Sequence, residues 1–148
     1  MSEHVATIYW KRTSADFSYA TYNREHTWRF DNGVEVAASA TLAFKGSPAC
    51  VDPEEAFVAS LSSCHMLTFL AIASRKNLVV DAYHDDAAGY LEKSDAGKLW
   101  IARVTLRPSV TFQGPPPSAD ALDSLHDAAH HNCFLANSVK TEVTVEPR

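Results

Sequence analysis

The stretch from Asp52 to Arg75 constrains the fold of this chain more than any other segment, because it reads as one long helix. Asp52 is a good N-cap residue, Pro53 is tolerated at the first helical position, and the two glutamates that follow complement the positive end of the helix dipole. Residues 56–74 contain no Asp, Glu, Lys or Arg, and apolar side chains fall on all sides of the helix. We therefore expect a helix that is buried on most of its faces.

The same segment is long enough to cross a bilayer, which takes about 20 apolar residues. However, it is interrupted by the polar residues Ser60, Ser62, Ser63, His65 and Thr68. No second stretch of this kind is present, and the first ten residues show no signal-peptide pattern. The sequence therefore predicts the core helix of a soluble, cytoplasmic protein.

The composition predicts one domain over residues 1–148 and limits the kinds of partner. Of the 148 residues, 46% are hydrophobic and 21% are charged, which is usual for a globular domain with a full core. The formal net charge is −5 and no basic run carries interleaved aromatic residues, so we expect neither nucleic acid nor an acidic membrane as a partner. Cysteines without a secretion signal indicate a reducing compartment where thiols stay free.

Strands and one more helix account for the rest of the chain. Alternation of apolar and polar residues predicts strands at 5–12, 17–22, 78–92, 99–112 and 139–146, and a hairpin of 27–30 with 34–40 about Asp31-Asn32-Gly33. Pro108 indicates a bend or an edge in its strand. Ser118 is expected to cap a second helix that ends near His131. The order of these strands and helices along the chain predicts an α+β fold with mixed or antiparallel sheets packed around the long buried helix.

Two of the three cysteines occupy positions that a compact fold could bring together. Cys64 lies near the middle of the long helix, and Cys133 lies where the second helix turns into the last strand. The plainest reading of each is a packed thiol, because free cysteine is among the most buried residue types. The other reading is a peroxidatic cysteine with its resolving partner. Cys50 lies in a predicted loop, where we expect a filler thiol.

A peroxidatic thiol must ionise near neutral pH, which requires a positive charge or hydrogen-bond donors to offset burial. His65 is a poor candidate for this task, because adjacent residues of a helix point about 100° apart. The helix dipole fades beyond the first turn and does not reach Cys64. An arginine from elsewhere is therefore the simplest source of charge.

Two sequence motifs surround these cysteines. The first is Asp-Pro-Glu-Glu-Ala-Phe at 52–57 followed by Ser-Ser-Cys at 62–64, and the second is Asn-Cys-Phe-Leu-Ala-Asn-Ser at 132–138. Together they resemble the OsmC/Ohr family, the osmotically inducible and organic hydroperoxide resistance proteins. The resemblance implies an intertwined homodimer with long central helices against curved sheets, and a thiol peroxidase that acts on organic hydroperoxides without a cofactor.

The resemblance also implies roles for four residues. Cys64 matches the peroxidatic cysteine, Cys133 the resolving cysteine, and Glu54 the active-site glutamate of the family. Arg24 falls at the place of the activating arginine, a short distance before an Asp-Gly type turn. The glycines that surround this arginine in the Ohr branch are absent here, so Arg29 or Arg12 remain alternatives. His65, His130 and His131 also depart from the Ohr pattern, so we assign the wider family and no branch.

In the implied mechanism, Arg24 is oriented by a salt bridge to Glu54 and stabilises the Cys64 thiolate, and an external dithiol, such as a lipoyl-type one, reduces the final disulfide. Candidates for an apolar substrate pocket are Tyr19, Tyr22, Trp28 and Phe134. A straight helix would separate Glu54 from Cys64 by about 15 Å. Arg24 would have to span that distance, the helix would have to kink, or the charged residues would come from the other subunit.

Three other functions compete with a peroxidase. His126 and His130 stand at i and i+4 on a predicted helix, and with His131, Cys133 and His65 nearby they could form a metal site. A non-enzymatic ligand-binding or structural dimer would use both cysteines only for packing. A cysteine hydrolase would need a histidine base, for which the sequence offers no placed candidate.

Overall fold

The computed structural model describes residues 1–148. In chain order its strands are β1 (Ala6–Tyr9), β2 (His26–Phe30), β3 (Glu35–Ala38), β4 (Val80–Asp85), β5 (Ala88–Lys93), β6 (Leu99–Leu106), β7 (Pro108–Phe112) and β8 (Glu142–Val145), and its helices are α1 (Pro53–Arg75) and α2 (Ala119–Asn132). Two compact units make up the chain, Met1–Ala56 and Phe57–Arg148. The α+β class is confirmed, whereas a single domain over 1–148 stays a prediction.

The first unit contains an antiparallel sheet in the order β1-β2-β3. The predicted hairpin between β2 and β3 is confirmed. Phe30 N donates to Val34 O at 2.9 Å, and Gly33 N donates to Phe30 O at 3.0 Å. Gly33 has a φ of 82°, a left-handed conformation that glycine adopts without strain. The Asp-Asn-Gly sequence therefore forms the turn that its composition indicates.

The predicted strand at 17–22 is wrong, because this segment folds into turns. Thr21 N and Tyr22 N both donate to Ser18 O, at 3.1 and 3.0 Å. The Thr21 hydroxyl also donates to Asp16 Oδ1 at 2.8 Å. Short polar side chains of this kind offer the backbone local partners that compete with strand pairing.

Helix α1 starts where its capping residues predict. Asp52 Oδ1 accepts from Glu55 N at 2.8 Å, and Glu55 Oε2 accepts from Asp52 N at 3.2 Å. This reciprocal pair is a capping box, which satisfies backbone donors at the start of the helix.

The second unit contains two sheets, β4-β7 and β5-β6-β8, in which only β6 and β8 run parallel. The two long strands predicted at 78–92 and 99–112 are each broken in two. One break lies after Asp85, and the other lies at Arg107, directly before Pro108, as the proline indicated. Asp85 Oδ1 accepts from Arg107 N at 2.6 Å, which joins the two breaks.

Helix α2 begins after Ser118, whose hydroxyl accepts from Ala121 N at 3.3 Å, as predicted. It packs against α1 through an apolar cluster whose buried members are Phe69, Ala73, Leu125 and Ala129. A second cluster joins α1 to β6 through Leu61, Val104 and Leu106.

The expectation that α1 is buried on most faces is wrong for the single chain. Its buried residues are Leu61, His65, Phe69 and Ala73, which recur every four positions and form one stripe. Leu67, on another face, is 60% exposed. By length and composition α1 could span a membrane, a test that the core helix of a soluble protein also passes. The face of α1 that carries Leu67 and Ala71 is therefore not covered by this chain.

Candidate functional site

Two thiols from the two helices of the second unit lie against each other. Cys133 Sγ donates to Cys64 Sγ, with 2.9 Å between the sulfur atoms, although 69 residues separate them in the chain. Both cysteines are free, as is Cys50. The structure thus brings together the two residues that the motifs single out.

The end of α2 places the Cys133 side chain. Cys133 is the C-cap residue, and its backbone N–H donates to His130 O at 3.2 Å while its own conformation is extended. The chain then enters a short 3₁₀ helix, Ala136–Ser138, and Ala136 N donates to Cys133 Sγ at 3.5 Å. The helix end and the following turn therefore direct this thiol inward.

The two sulfurs have different environments. Cys133 is 1% exposed, and Cys64 is only half-buried. Burial raises the pKa of the Cys133 thiol, and the hydrogen bond to Cys64 raises it further, against a smaller opposite effect of the Ala136 amide. Cys133 is thus held as the protonated donor, and Cys64 is the acceptor and the more accessible sulfur. This asymmetry suits a pair in which one thiol attacks first and the other follows.

Arg24 belongs to the first unit and is 8% exposed. Its guanidinium lies over the Tyr22 ring, 3.7 Å from the centroid, and donates to the carbonyl oxygens of Tyr22 and, at 2.5 Å, Tyr19. Its Nε atom is buried without a partner. The turns at 17–22 therefore wrap a cation that keeps one donor free.

Arg24 and Glu54 line the same cavity of the first unit, which has a volume of about 390 Å³. No ion pair within 4 Å joins them in the single chain, so the salt bridge expected from the family resemblance is not formed there. The walls of the cavity are mainly apolar and include Trp10, Phe17, Tyr22, Phe44 and Pro53.

The two alternative arginines have other partners. Arg29 forms an exposed ion pair with Glu35 at 2.6 Å. Arg12 donates to the carbonyl oxygens of Ser14 and Ala15, at 2.5 and 2.9 Å. Arg24 is the one of the three that lines the cavity.

Of the four aromatic residues predicted for a pocket, Tyr22 lines this cavity. Tyr19 lies against the Arg24 guanidinium, with 5.1 Å from its ring centroid to Cζ. Trp28 donates to His26 instead, and Phe134 is 82% exposed. The sequence reasoning missed Trp10 and Phe17, whose ring centroids are 5.9 Å apart, because nothing in the linear pattern distinguishes an aromatic residue of a cavity wall from one of the core.

The histidines considered as metal ligands do not converge. No group of three or more His, Cys, Asp or Glu side chains is placed so that it could hold a metal ion. His65 and His126 instead pair with each other inside the second unit.

Taken with the α+β architecture, the juxtaposed sulfurs define a small dithiol protein in which each helix contributes one thiol. The family model described as OsmC-like protein matches residues 45–148. The chain belongs to the OsmC-like family.

Comparisons with solved structures agree with this assignment. An OsmC-like protein of unknown function from Vibrio cholerae is 48% identical, with a TM-score of 0.96 and 100% of both chains covered. The organic hydroperoxide resistance protein OhrB of Bacillus subtilis is 18% identical, with a TM-score of 0.73, and the alignment covers 99% of this chain and 98% of that one. An organic hydroperoxide resistance protein from Elizabethkingia anophelis is 17% identical, with a TM-score of 0.73 and coverage of 99% and 94%. At such identities the last two show the fold alone. No curated protein matches this chain.

Proposed function

We propose that this chain is a thiol peroxidase that reduces organic hydroperoxides to alcohols. The observation that carries the proposal is the pair of free thiols 2.9 Å apart, with the accessible Cys64 as acceptor and the buried Cys133 as donor. Membership of the OsmC-like family supports it, as do similar folds in proteins named for organic hydroperoxide resistance.

The reaction has two steps within the protein. The Cys64 thiolate attacks one peroxide oxygen, the O–O bond breaks, and the departing alkoxide takes a proton to become the alcohol, which leaves a sulfenic acid on Cys64. Cys133 then loses its proton and attacks the Cys64 sulfur, which releases water and forms a disulfide. The peroxide is thereby reduced by two electrons, and the two thiols are oxidised.

An external dithiol completes the cycle in this proposal. It reduces the Cys64–Cys133 disulfide by thiol–disulfide exchange and is itself oxidised to a disulfide. A lipoyl-type dithiol is the candidate that the family resemblance suggests. Such a cycle fits a cytoplasmic protein, since the cytoplasm maintains reduced dithiols.

We assign the substrate side of the site to Arg24, Glu54 and the cavity that they line. In the proposed enzyme Arg24 supplies the positive charge for the Cys64 thiolate, from its own subunit or from a partner subunit, and Glu54 orients it. The unpartnered Nε of Arg24 and the aromatic walls of the cavity support this role, because a bulky organic peroxide offers an oxygen acceptor and an apolar body.

A homodimer is part of the proposal. The uncovered face of α1 carries Leu67 among small side chains, and exposed residues on it are Ser60, Ser63, Leu67, Ala71 and Ser74. Small residues allow close approach of a second helix, and burial of apolar surface stabilises the contact. A second copy of this chain, as the family resemblance implies, would cover this face.

A turnover assay tests the activity. Purified reduced protein is given cumene hydroperoxide or hydrogen peroxide, with dihydrolipoamide as the reductant, and peroxide loss is followed. We expect catalytic consumption of cumene hydroperoxide, a lower rate with hydrogen peroxide, and no activity in Cys64→Ser. No activity in the wild type would favour the non-enzymatic alternative, and unchanged activity in Cys64→Ser would show that Cys64 is not the thiol that reacts with the peroxide.

A further inference from the structure

Two histidines form a buried pair between α1 and α2. His65 Nε2 and His126 Nδ1 are 3.1 Å apart, and the residues are 1% and 2% exposed. Their rings are nearly parallel, at 7°, with centroids 5.4 Å apart. The Phe69 ring also stacks on His126, with 4.5 Å between the two ring centroids. The pair is therefore a polar contact inside an otherwise apolar interface.

Stability alone does not explain the His65–His126 pair. His65 Nδ1 and His126 Nε2 are both buried without a hydrogen-bond partner. A buried polar atom without a partner is destabilising, and replacement of such a pair by apolar side chains of similar size is often neutral or stabilising. A different benefit is needed to explain two imidazoles at this place.

The position of the pair, close in sequence to both cysteines, indicates what the two histidines contribute. His65 directly follows Cys64 on α1, and His126 lies two helical turns before Cys133 on α2. The apolar contacts between the helices, through Phe69 and Leu125 for example, are non-directional. A hydrogen bond between two rings has a preferred direction and length, so it can fix how far one helix slides along the other.

We propose that the His65–His126 hydrogen bond sets the register of α2 against α1 and so holds Cys133 against Cys64. Both histidines are then positioning residues for disulfide formation, a role that rests on the proposed peroxidase function for its use in the cell. Neither ring takes part in the chemistry. The register determines the effective concentration of one thiol at the other, which governs how readily the disulfide closes.

The test measures that effective concentration without peroxide. In a Cys50→Ser background, the protein is equilibrated with mixtures of reduced and oxidised glutathione, and the fraction with a Cys64–Cys133 disulfide is measured by mass spectrometry. The variants are His126→Leu, the double variant with His65→Leu and His126→Leu, and His126→Asn. The asparagine amide places a hydrogen-bonding atom where His126 Nδ1 stands. Leu125→Ala is the matched control, because it weakens the same interface without removing the hydrogen bond.

We expect the effective concentration to fall at least about tenfold in both leucine variants and to return to within about threefold of the wild type in His126→Asn. We also expect the reduced double variant to resist urea at least as well as the wild type, and Leu125→Ala to lose stability with a much smaller change in effective concentration. A double variant with the wild-type effective concentration would overturn the inference. So would a decrease in effective concentration that is proportional to the loss of stability in every variant, Leu125→Ala included. A wild type inert to organic hydroperoxides would remove the proposed function but leave this measurement valid.

Discussion

Cys64 and Cys133 carry the same functional group, and their surroundings give the two thiols different exposure and hydrogen bonding. Burial keeps Cys133 protonated, whereas Cys64 is more accessible and accepts its hydrogen bond. Both residues could be singled out from sequence, because each lies in a distinct motif. Their contact could not, since nothing in the linear pattern shows that residues so far apart in the chain meet.

The first prediction separates the two thiols. Cys133→Ser is expected to lose turnover at least about a hundredfold, because the sulfenic acid has no resolving thiol. Its first reaction with cumene hydroperoxide should remain and leave a Cys64 sulfenic acid that dimedone traps, as seen by intact mass. Cys50→Ser should behave as the wild type. Trapped sulfenic acid on Cys50 or Cys133 would contradict the assignment.

Arg24 is predicted to matter for both folding and reactivity. Arg24→Met removes the buried donors to the Tyr19 and Tyr22 carbonyl oxygens, which should lower the free energy of unfolding by about 2–4 kcal/mol. Loss of the charge should slow the reaction of Cys64 with cumene hydroperoxide by about a hundredfold. Urea unfolding and stopped-flow kinetics measure the two effects.

The matched control for Arg24 is Arg29→Met, which removes an exposed ion pair with Glu35. It should change stability by less than about 0.5 kcal/mol and leave the reaction rate unaltered. A slow Arg29→Met variant beside a fully reactive Arg24→Met would transfer the activating role to Arg29.

Helix ends and tight turns could be predicted from sequence because their signals are local. Asp52, Ser118 and the turn that ends at Gly33 each form the cap or turn that their residue type favours. The segment 17–22 was missed because its alternation resembles a strand while hydrogen bonds of Ser18 and Thr21 hold it in turns. Tyr22 of this segment was predicted as a pocket residue, whereas Phe17, which also lines the cavity, was not.

Asp85 is predicted to anchor α1 to the bend in the sheets of the second unit. Its carboxylate accepts from the Ser62 hydroxyl at 2.5 Å and from Arg107 N at 2.6 Å. Asp85→Ala leaves both donors without a partner and should lower the free energy of unfolding by about 2–3 kcal/mol. The neighbouring Asp86 has only exposed ion-pair partners, so Asp86→Ala should lower the free energy of unfolding by less than about 0.5 kcal/mol. Equal effects in urea unfolding would show that Asp85 has no special anchoring role.

The histidine pair gives the interface of α1 and α2 a pH dependence. Burial, with smaller effects of His126 and His130, lowers the pKa of His65 from 6.5 to about 4. Burial also lowers the pKa of His126, although Asp123, Asp127 and Asp85 oppose it. Between about pH 4 and 6.5 the unfolded chain binds more protons at His65 than the folded chain does. The contribution to stability is therefore complete above pH 6.5 and is lost as the pH falls towards 4.

The titration of His65 is expected to lower the free energy of unfolding by on the order of 3 kcal/mol between pH 6.5 and 4. Urea unfolding of the reduced protein at a series of pH values measures it. The double variant with His65→Leu and His126→Leu should show a flatter profile, because the two buried imidazoles whose pKa values are lowered in the folded chain are gone. The same slope in both proteins would place the acid sensitivity elsewhere.

At the scale of the whole molecule, the sequence predicts a long apolar helix α1, and the family resemblance implies an intertwined homodimer that would cover it. The structure leaves Leu67 and its neighbours exposed, and a second copy is the proposed cover. Leu67→Glu should convert the dimer to a monomer in sedimentation velocity, because a charge would be buried at the contact. Lys98→Glu, in an exposed turn, should not. A wild type that sediments as a monomer would contradict the dimer.

The proposed dimer also allows a test of whether Arg24 acts across subunits. Arg24→Met is expected to be about a hundredfold slow and Cys64→Ser inactive, and mixing the two variants under subunit exchange forms hybrid dimers. If Arg24 serves the partner's thiol, each hybrid contains one site with both defects and one intact site, and should have about half of the wild-type activity. If Arg24 serves its own subunit, no site of the hybrid combines an intact Arg24 with an intact Cys64, and mixing should not raise the activity.

In the proposed reaction a peroxide oxidises Cys64, and Cys133 then closes a disulfide with it inside the same chain. One equivalent of cumene hydroperoxide is added to fully reduced protein, the remaining thiols are alkylated, and peptides are mapped by mass spectrometry without reduction. We expect a Cys64–Cys133 disulfide within one chain, one alcohol formed per disulfide, and Cys50 alkylated. A bridge through Cys50, or recovery of three alkylated thiols with the peroxide intact, would contradict it.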